Sequence, residues 1–268
     1  MSKYNDIDLK NWKNYNDIYT DSLWIINKRD NSGVHNGHYH GNFIPQIPFQ
    51  LLSRYTKEKE WVLDPFMGSG TTLIEAQRMN RNSIGIELQE LIAKEAEARI
   101  KLESQNNIVS KVLIGDSGTI NLETELSELG IKKVQFIIFH PPYWDIIKFS
   151  DDKNDLSNST SLENFEKNFS QIIDNTTKYL DDGRYCGLII GDKYSNSQIT
   201  PLGFRCMNLF LEKGFILKAI IVKNFGETEG KSNKQAIWRY RALSADYYIF
   251  RHEYIMVFKK PDIKKKTK

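Results

Sequence analysis

Two short stretches carry residues whose types and order could do chemistry. The first is Asp64-Pro65-Phe66-Met67-Gly68-Ser69-Gly70-Thr71-Thr72, between apolar Trp61-Val62-Leu63 and helix-like Leu73-Ile74-Glu75-Ala76. Glycines at 68 and 70 allow a tight turn and let backbone approach a ligand closely. The N–H groups that open the following helix favour an anionic group such as a carboxylate. The second stretch is His140-Pro141-Pro142-Tyr143-Trp144, which ends the most apolar run of the chain, residues 134–139. Consecutive prolines remove two backbone donors and fix φ. The carbonyls of His140 and Pro141 are therefore held extended, as fixed acceptors for an amino group. Tyr143 adds a flat face for stacking, and Trp144 reads equally as core packing or pocket wall.

Two carboxylates belong with the first loop. Glu87 ends the next strand, about 20 residues past the glycine turn, where a carboxylate can accept from two ribose hydroxyls. Asp116 ends the strand after that and could accept from an adenine amino group; a helix N-cap or turn role fits it too. The glycine spacing is not Gly-x-Gly-x-x-Gly, which disfavours a nicotinamide oxidoreductase, and Gly-Lys-Ser/Thr of a phosphate loop is missing.

These residues must be positioned by alternating strands and helices. Strands are predicted at 61–64, 83–87, 111–114, 134–139, 184–190, 216–223 and 253–259, with helices near 48–55, 71–79, 89–103, 123–129, 161–180 and 201–213. That alternation predicts an α/β layer architecture around a parallel sheet. Between 223 and 253 no amphipathic stripe supplies a crossover helix. The last strand is therefore expected to run antiparallel beside its predecessor, joined by an excursion from the sheet edge. Within it Lys223, Lys231, Lys234, Arg239, Arg241 and Arg251 interleave with Trp238, Tyr240, Tyr247 and Tyr248. Basic groups suit phosphates and aromatics can stack or wedge, so this segment is the expected nucleic-acid surface. Asp192 and Lys193, in Gly191-Asp192-Lys193-Tyr194, could line a base pocket or touch phosphate; a plain turn is the alternative.

Composition sets the bounds. A chain of 268 residues suits one larger α/β domain. It divides into an N-terminal segment 1–60 that contributes to the pocket, a catalytic domain 61–260 with a DNA-contacting insertion 224–252, and a basic tail 261–268. No run of about 18 apolar residues reads as a transmembrane helix, and the polar start lacks a signal-peptide core, so a cytoplasmic location is expected. Net charge is +3, which permits nucleic-acid binding without arguing for it. Cys186 and Cys206 cannot make a disulfide framework. His35, His38 and His40 lack a carboxylate or cysteine that would complete a metal site, and no metal is expected.

Together the two loops resemble those of the S-adenosylmethionine-dependent DNA amino-methyltransferases, the N6-adenine and N4-cytosine enzymes. Residues 64–72 match the family's Asp-Pro-Phe-x-Gly-Ser-Gly-Thr-Thr throughout. Residues 140–143 match its Asp/Asn/Ser-Pro-Pro-Tyr/Phe except at His140, and the resemblance sets 40–48 against its cofactor-contacting leading segment. The resemblance covers about residues 35–260 and implies a Rossmann-like class I methyltransferase fold. That is a seven-stranded, mostly parallel sheet with an antiparallel last strand and helices on both faces. It implies that Asp64, Phe66, Gly68, Ser69, Gly70, Thr71 and Thr72 surround the methionine part of S-adenosylmethionine, with Glu87 on the ribose and Asp116 on the adenine. His140, Pro141, Pro142 and Tyr143 become the catalytic loop acting on a flipped-out base in double-stranded DNA, with Trp144, Lys193, Lys231, Lys234, Arg239 and Arg241 toward the DNA. Tyr143-Trp144 leans slightly toward cytosine N4 over adenine N6. C5 methylation is disfavoured, since neither cysteine follows a proline. An RNA base methyltransferase and a catalytically silent nucleic-acid-binding subunit are the alternatives. A homodimer and a cognate restriction endonuclease are compatible partners that the residues do not require.

Overall fold

The computed structural model describes residues 4–35, 37, 39–104, 107–225 and 235–262. Ten strands and seven α-helices are described. The strands are β1 (Leu23–Trp24), β2 (Trp61–Asp64), β3 (Asn82–Glu87), β4 (Ser110–Ile114), β5 (Val134–Phe139), β6 (Leu180–Ile190), β7 (Lys193–Ser195), β8 (Gln198–Thr200), β9 (Ile216–Asn224) and β10 (His252–Lys259). The helices are α1 (Gln46–Tyr55), α2 (Thr71–Arg78), α3 (Glu90–Leu102), α4 (Leu122–Glu128), α5 (Leu162–Thr177), α6 (Leu202–Glu212) and α7 (Gln235–Ser244). Short 3-10 turns lie at Leu9–Asn14 and Leu156–Asn158. Among the described residues no helix is long and apolar enough to cross a membrane.

Strand chemistry explains the layers. Along β5, Phe136 and Ile138 enter one apolar cluster while Ile137 and Phe139 enter another. Along β6, Ile189 faces the first and Leu188 and Ile190 the second. A period of two with both faces apolar is what a central strand covered on both sides requires. On one side α1 brings Ile47, Leu51 and Leu52, and α2 brings Ala76. On the other lie Leu122 and Leu126 of α4, Phe165 and Phe169 of α5, and Phe210 of α6. Each such fully buried side chain contributes about 1.5–3 kcal/mol of apolar burial.

The sheet order is β1-β9-β10-β6-β5-β2-β3-β4. β2, β3, β4, β5 and β6 run parallel to one another; β10 is antiparallel to both β6 and β9. The expected antiparallel last strand is therefore present. The sheet has eight strands where seven were expected, because β1 adds a parallel edge to β9 through Leu23↔Val222 and Trp24↔Lys223. Two residues, of which only Trp24 is buried, are too few for alternation to be visible in sequence. The excursion also differs from expectation, since it contains a helix, α7. None of its residues with a described side chain is buried, so no apolar stripe marks it. Strand order reverses between β2 and β5, which leaves a crevice at their C-terminal ends, the usual ligand position in open α/β sheets.

Candidate functional site

The loops after β2, β3, β4 and β5 open into one cavity of about 350 Å³ at that crevice. Its wall includes Phe66, Gly68, Ser69, Thr71, Glu87, Asp116, His140, Pro141, Pro142 and Tyr143. The structure thus brings together most residues of the two predicted loops with both predicted carboxylates. Asp64, Gly70 and Thr72 stand outside the wall. Asp64 is buried and accepts from the Phe66 amide at 2.9 Å, which shapes the turn from beneath. Burial raises its carboxyl to about 7. Thr72 is fully buried in the first turn of α2, and Gly70 caps that helix at φ +83°.

The Glu87 side of the cavity is held mostly through main chain. Glu87 Oε2 accepts from the Gly68 amide at 3.1 Å and Oε1 from the Gln89 amide at 2.9 Å. Burial pushes its pKa up. Gly68 sits at φ +48°, and a Cβ there would lie 3.0 Å from the Tyr39 ring, so a side chain would be both strained and crowded. Ser117 Oγ donates to the Pro65 carbonyl at 2.6 Å, tying the β4 loop to the β2 loop. Asp116 accepts from the Gly118 amide at 2.8 Å and the Thr119 hydroxyl at 3.1 Å, while its residue still lines the wall. The turn role and a ligand-facing position coexist. The residues fit a nucleoside with an amino-acid tail, since a carboxylate that can accept from hydroxyls and a glycine loop share one concave wall.

The His140 side is held through side chains from distant strands. Tyr143 Oη donates to Glu253 Oε2 at 2.8 Å, and Lys223 Nζ donates to Glu253 Oε1 at 2.8 Å. Lys223 and Glu253 face each other across β9 and β10 and are both buried. His140 Nε2 lies 3.4 Å from Tyr143 Oη. Burial lowers His140 to about 4, with Glu253 opposing and Lys223 reinforcing the shift. Burial and Glu253 together push the Tyr143 phenol up. Gly191 makes room for this ring: a Cβ there would stand 2.9 Å from Tyr143 Cε2.

The N-terminal segment closes the cavity. Phe43 packs on His140 with ring centroids 4.8 Å apart, and Thr71 Oγ1 donates to Asn42 Oδ1 at 2.6 Å. Tyr39 stacks on Phe149 of the loop after β5 at 6.2 Å. Ile146, Ile147 and Asp155 of that loop also line the wall.

Several predicted residues fall elsewhere. Lys223 was expected on the nucleic-acid surface. It is buried in the pocket wall instead, because β9 runs one residue past it and Glu253 meets it in register. Trp144 is off the wall; its Nε1 donates to the Ser159 carbonyl at 3.0 Å and its ring packs on the core. Lys193, on the β7–β8 hairpin, pairs with Asp145 and lies 4.0 Å from the Trp144 ring centroid. Arg239 and Arg241 are exposed on α7 beside Trp238 and Tyr240. Lys231, Lys234, His38 and the tail lysines lie outside the described residues. His35 is buried against Glu75 at 2.7 Å, tying the N-terminal segment to α2. Glu253 was missed. A charged residue opening an otherwise apolar strand was its only signal.

A family model described as DNA methylase matches residues 1–98 and 134–268. The Type II methyltransferase M.MjaII of Methanocaldococcus jannaschii is 40% identical over 78 residues, 29% of this chain and 15% of its own. The Type II methyltransferase M2.DpnII of Streptococcus pneumoniae is 35% identical over 104 residues, 37% of this chain and 35% of its own. A tRNA (guanine(10)-N2)-dimethyltransferase of M. jannaschii is 34% identical over 104 residues, 38% of this chain and 29% of its own. The matches thus span at most about a third of these relatives. A SAM-dependent methyltransferase structure from Methanosarcina mazei aligns at a TM-score of 0.52 and 12% identity, covering 79% of this chain and 97% of that one, a likeness of fold.

Proposed function

Because the chain belongs to the DNA methylase family, we propose that it uses S-adenosylmethionine to methylate the exocyclic amino group of a DNA base rotated out of the duplex. The observation that carries this is the single cavity whose wall joins Gly68, Glu87 and Asp116 to His140-Pro141-Pro142-Tyr143. Phe66, Gly68, Ser69 and Thr71 would hold the amino-acid end of the cofactor, Glu87 the ribose and Asp116 the adenine. When bound, the sulfonium supplies a methyl group to the amino nitrogen while sulfur keeps the S–C electron pair.

The chain's own residues must activate that nitrogen, whose lone pair is delocalised into the base. Hydrogen bonds from its two N–H groups to fixed acceptors favour a pyramidal nitrogen. Pro141 offers its carbonyl. His140 offers a ring nitrogen only while neutral, and burial keeps it neutral down to about pH 4. As the new N–C bond forms the nitrogen loses one proton, which passes to solvent at the pocket mouth. Positioning of this sort contributes several kcal/mol. Tyr143 forms one wall of the base site. Its hydroxyl is tied down, so its ring offers a fixed contact surface for a rotated base.

Cytosine N4 is the target we favour, with adenine N6 second; Tyr143-Trp144 is the basis. Exposed Arg239, Arg241, Trp238 and Tyr240 on α7 would meet the duplex. The Type II naming of two relatives supports a restriction-modification role with a cognate endonuclease. The test is transfer of labelled methyl from the cofactor to duplex DNA and, in parallel, to total tRNA, followed by nucleoside analysis. N4-methylcytosine is expected. N6-methyladenine would reassign the base, label only in tRNA would move the activity to RNA, and no cofactor binding by calorimetry would make the chain a silent binding subunit.

A further inference from the structure

A buried ion pair is a poor way to stabilise a fold, because desolvating two charges offsets most of their attraction. The Lys223–Glu253 pair is nevertheless buried, and both residues line the cavity beside His140 and Tyr143. Its connections run one way: Lys223 Nζ to Glu253 Oε1 at 2.8 Å, Tyr143 Oη to Glu253 Oε2 at 2.8 Å, and Tyr143 Oη to His140 Nε2 at 3.4 Å. A phenol has one O–H proton. At 2.8 Å a carboxylate takes it in preference to a ring nitrogen at 3.4 Å, since charge-assisted bonds are shorter and stronger. The Tyr143 oxygen then has only lone pairs to offer His140. Nε2 can meet it only as a donor, and a neutral imidazole with Nε2–H has Nδ1 as its acceptor.

We propose that Lys223 and Glu253 are positioning residues which, through Tyr143, hold His140 as the Nε2–H tautomer, so that Nδ1 accepts one N–H of the target amino group. This rests on the methyl-transfer function proposed above and extends it to residues 80 and more positions away from the catalytic loop. Lys223 fixes the carboxylate, the carboxylate fixes the phenol proton, and the phenol oxygen fixes the imidazole. The groups facing His140 are Tyr143 from its own loop, Glu253 from β10, Lys223 from β9 and the uncharged Phe43 ring from the N-terminal segment.

The first test reads the wild-type full chain at pH 7. Long-range ¹H–¹⁵N correlation of ¹⁵N-histidine protein, with the His140 signal identified by its loss in His140→Gln, should show Nε2 protonated and Nδ1 bare. An Nδ1–H tautomer would overturn the proposal. This readout needs no methyl transfer, so it stands apart from the fate of the proposed function. The second test is Glu253→Gln, which should lower kcat on the order of tenfold to a hundredfold and leave cofactor Kd within about twofold. Unchanged kcat, or equal loss of kcat and cofactor affinity, would overturn it. If Glu253→Gln leaves Lys223 too costly to bury and the chain does not fold, Lys223→Met/Glu253→Leu removes both charges and the acceptor of the phenol proton, and should show the same kcat loss. The acid limb of kcat should move to lower pH in Glu253→Gln and to higher pH in Lys223→Met, because the two charges act on His140 with opposite sign. The limb reports only that both charges face His140; a merely structural pair would leave the tautomer and the ratio of kcat to cofactor affinity in place.

Discussion

The two halves of the pocket are built by opposite means. The Glu87 half comes from three successive loops and leans on main-chain partners: the amides of Gly68 and Gln89 bond one carboxylate, and the Ser117 hydroxyl bonds the Pro65 carbonyl. The His140 half rests on side chains from β9 and β10, as much as 110 residues from Tyr143. Main-chain sites tolerate varied neighbours, because every residue has an amide. Side-chain sites depend on each partner's identity. The first half should therefore respond to mutation in affinity and the second in turnover.

The sharpest test of that division is Glu87→Ala. It removes the carboxylate proposed to accept from two ribose hydroxyls, worth about 2–4 kcal/mol net, so cofactor Kd should rise roughly thirtyfold to a thousandfold. At saturating cofactor, kcat should fall by no more than about threefold. Calorimetry and initial rates together decide, and a large loss of kcat at saturation would erase the distinction between the halves. Next in size is Tyr143→Ala. It removes the ring proposed to wall the base site and releases Glu253, so kcat should drop by about a hundredfold with cofactor Kd nearly unchanged. Equal losses in both would make Tyr143 structural.

The same contrast explains what was legible in the sequence. The strand pattern, the antiparallel edge and the loops at 64–72 and 140–144 could be read because period-two burial and proline–glycine punctuation are local signals. Glu87 was legible because it stands at a strand end a fixed distance from the turn. Glu253 was not, since its importance arises from register: it faces Lys223 only once β10 inserts between β6 and β9. Lys223 was misplaced for the same reason, as a lysine near a basic segment looks solvated until its strand is seen to continue into the pocket. β1 and α7 were missed because two residues show no alternation and an exposed helix shows no stripe.

His140 sharpens the comparison through pH. Its ring is held near 4 in the folded chain against an ordinary 6.5, chiefly by burial. The unfolded chain therefore binds more protons between those values, and the stability that neutral His140 contributes is present above about 6.5 and lost as pH falls toward 4. The acid limb of kcat should accordingly lie near pH 4 rather than 6.5. His140→Gln keeps an acceptor that cannot titrate. It should cost about tenfold in kcat, remove that limb, and lose less thermal stability than wild type between pH 6.5 and 4. A limb unchanged in His140→Gln would assign the titration to another pocket group and end the role of His140 as acceptor.

The smallest effect expected lies outside both halves, on α7. Arg239 and Arg241 are exposed, and the Arg241 guanidinium lies 5.4 Å from the centroid of the Trp238 ring. If they meet phosphates, each accounts for about one unit in the salt dependence of DNA affinity. Arg239→Ala/Arg241→Ala should then weaken DNA binding a few-fold near physiological salt, uniformly across sequences. The slope of log K against log salt should become shallower by about two units. Cofactor Kd and kcat at saturating DNA should not move, because neither side chain reaches the cavity wall. A sequence-dependent loss would instead give these arginines base contacts, and recognition as well as anchoring would then belong to the excursion. An unchanged salt slope would take the duplex off this helix altogether, leaving the described pocket mouth, with Ile146 and Ile147 exposed at its rim, as the surface to probe next.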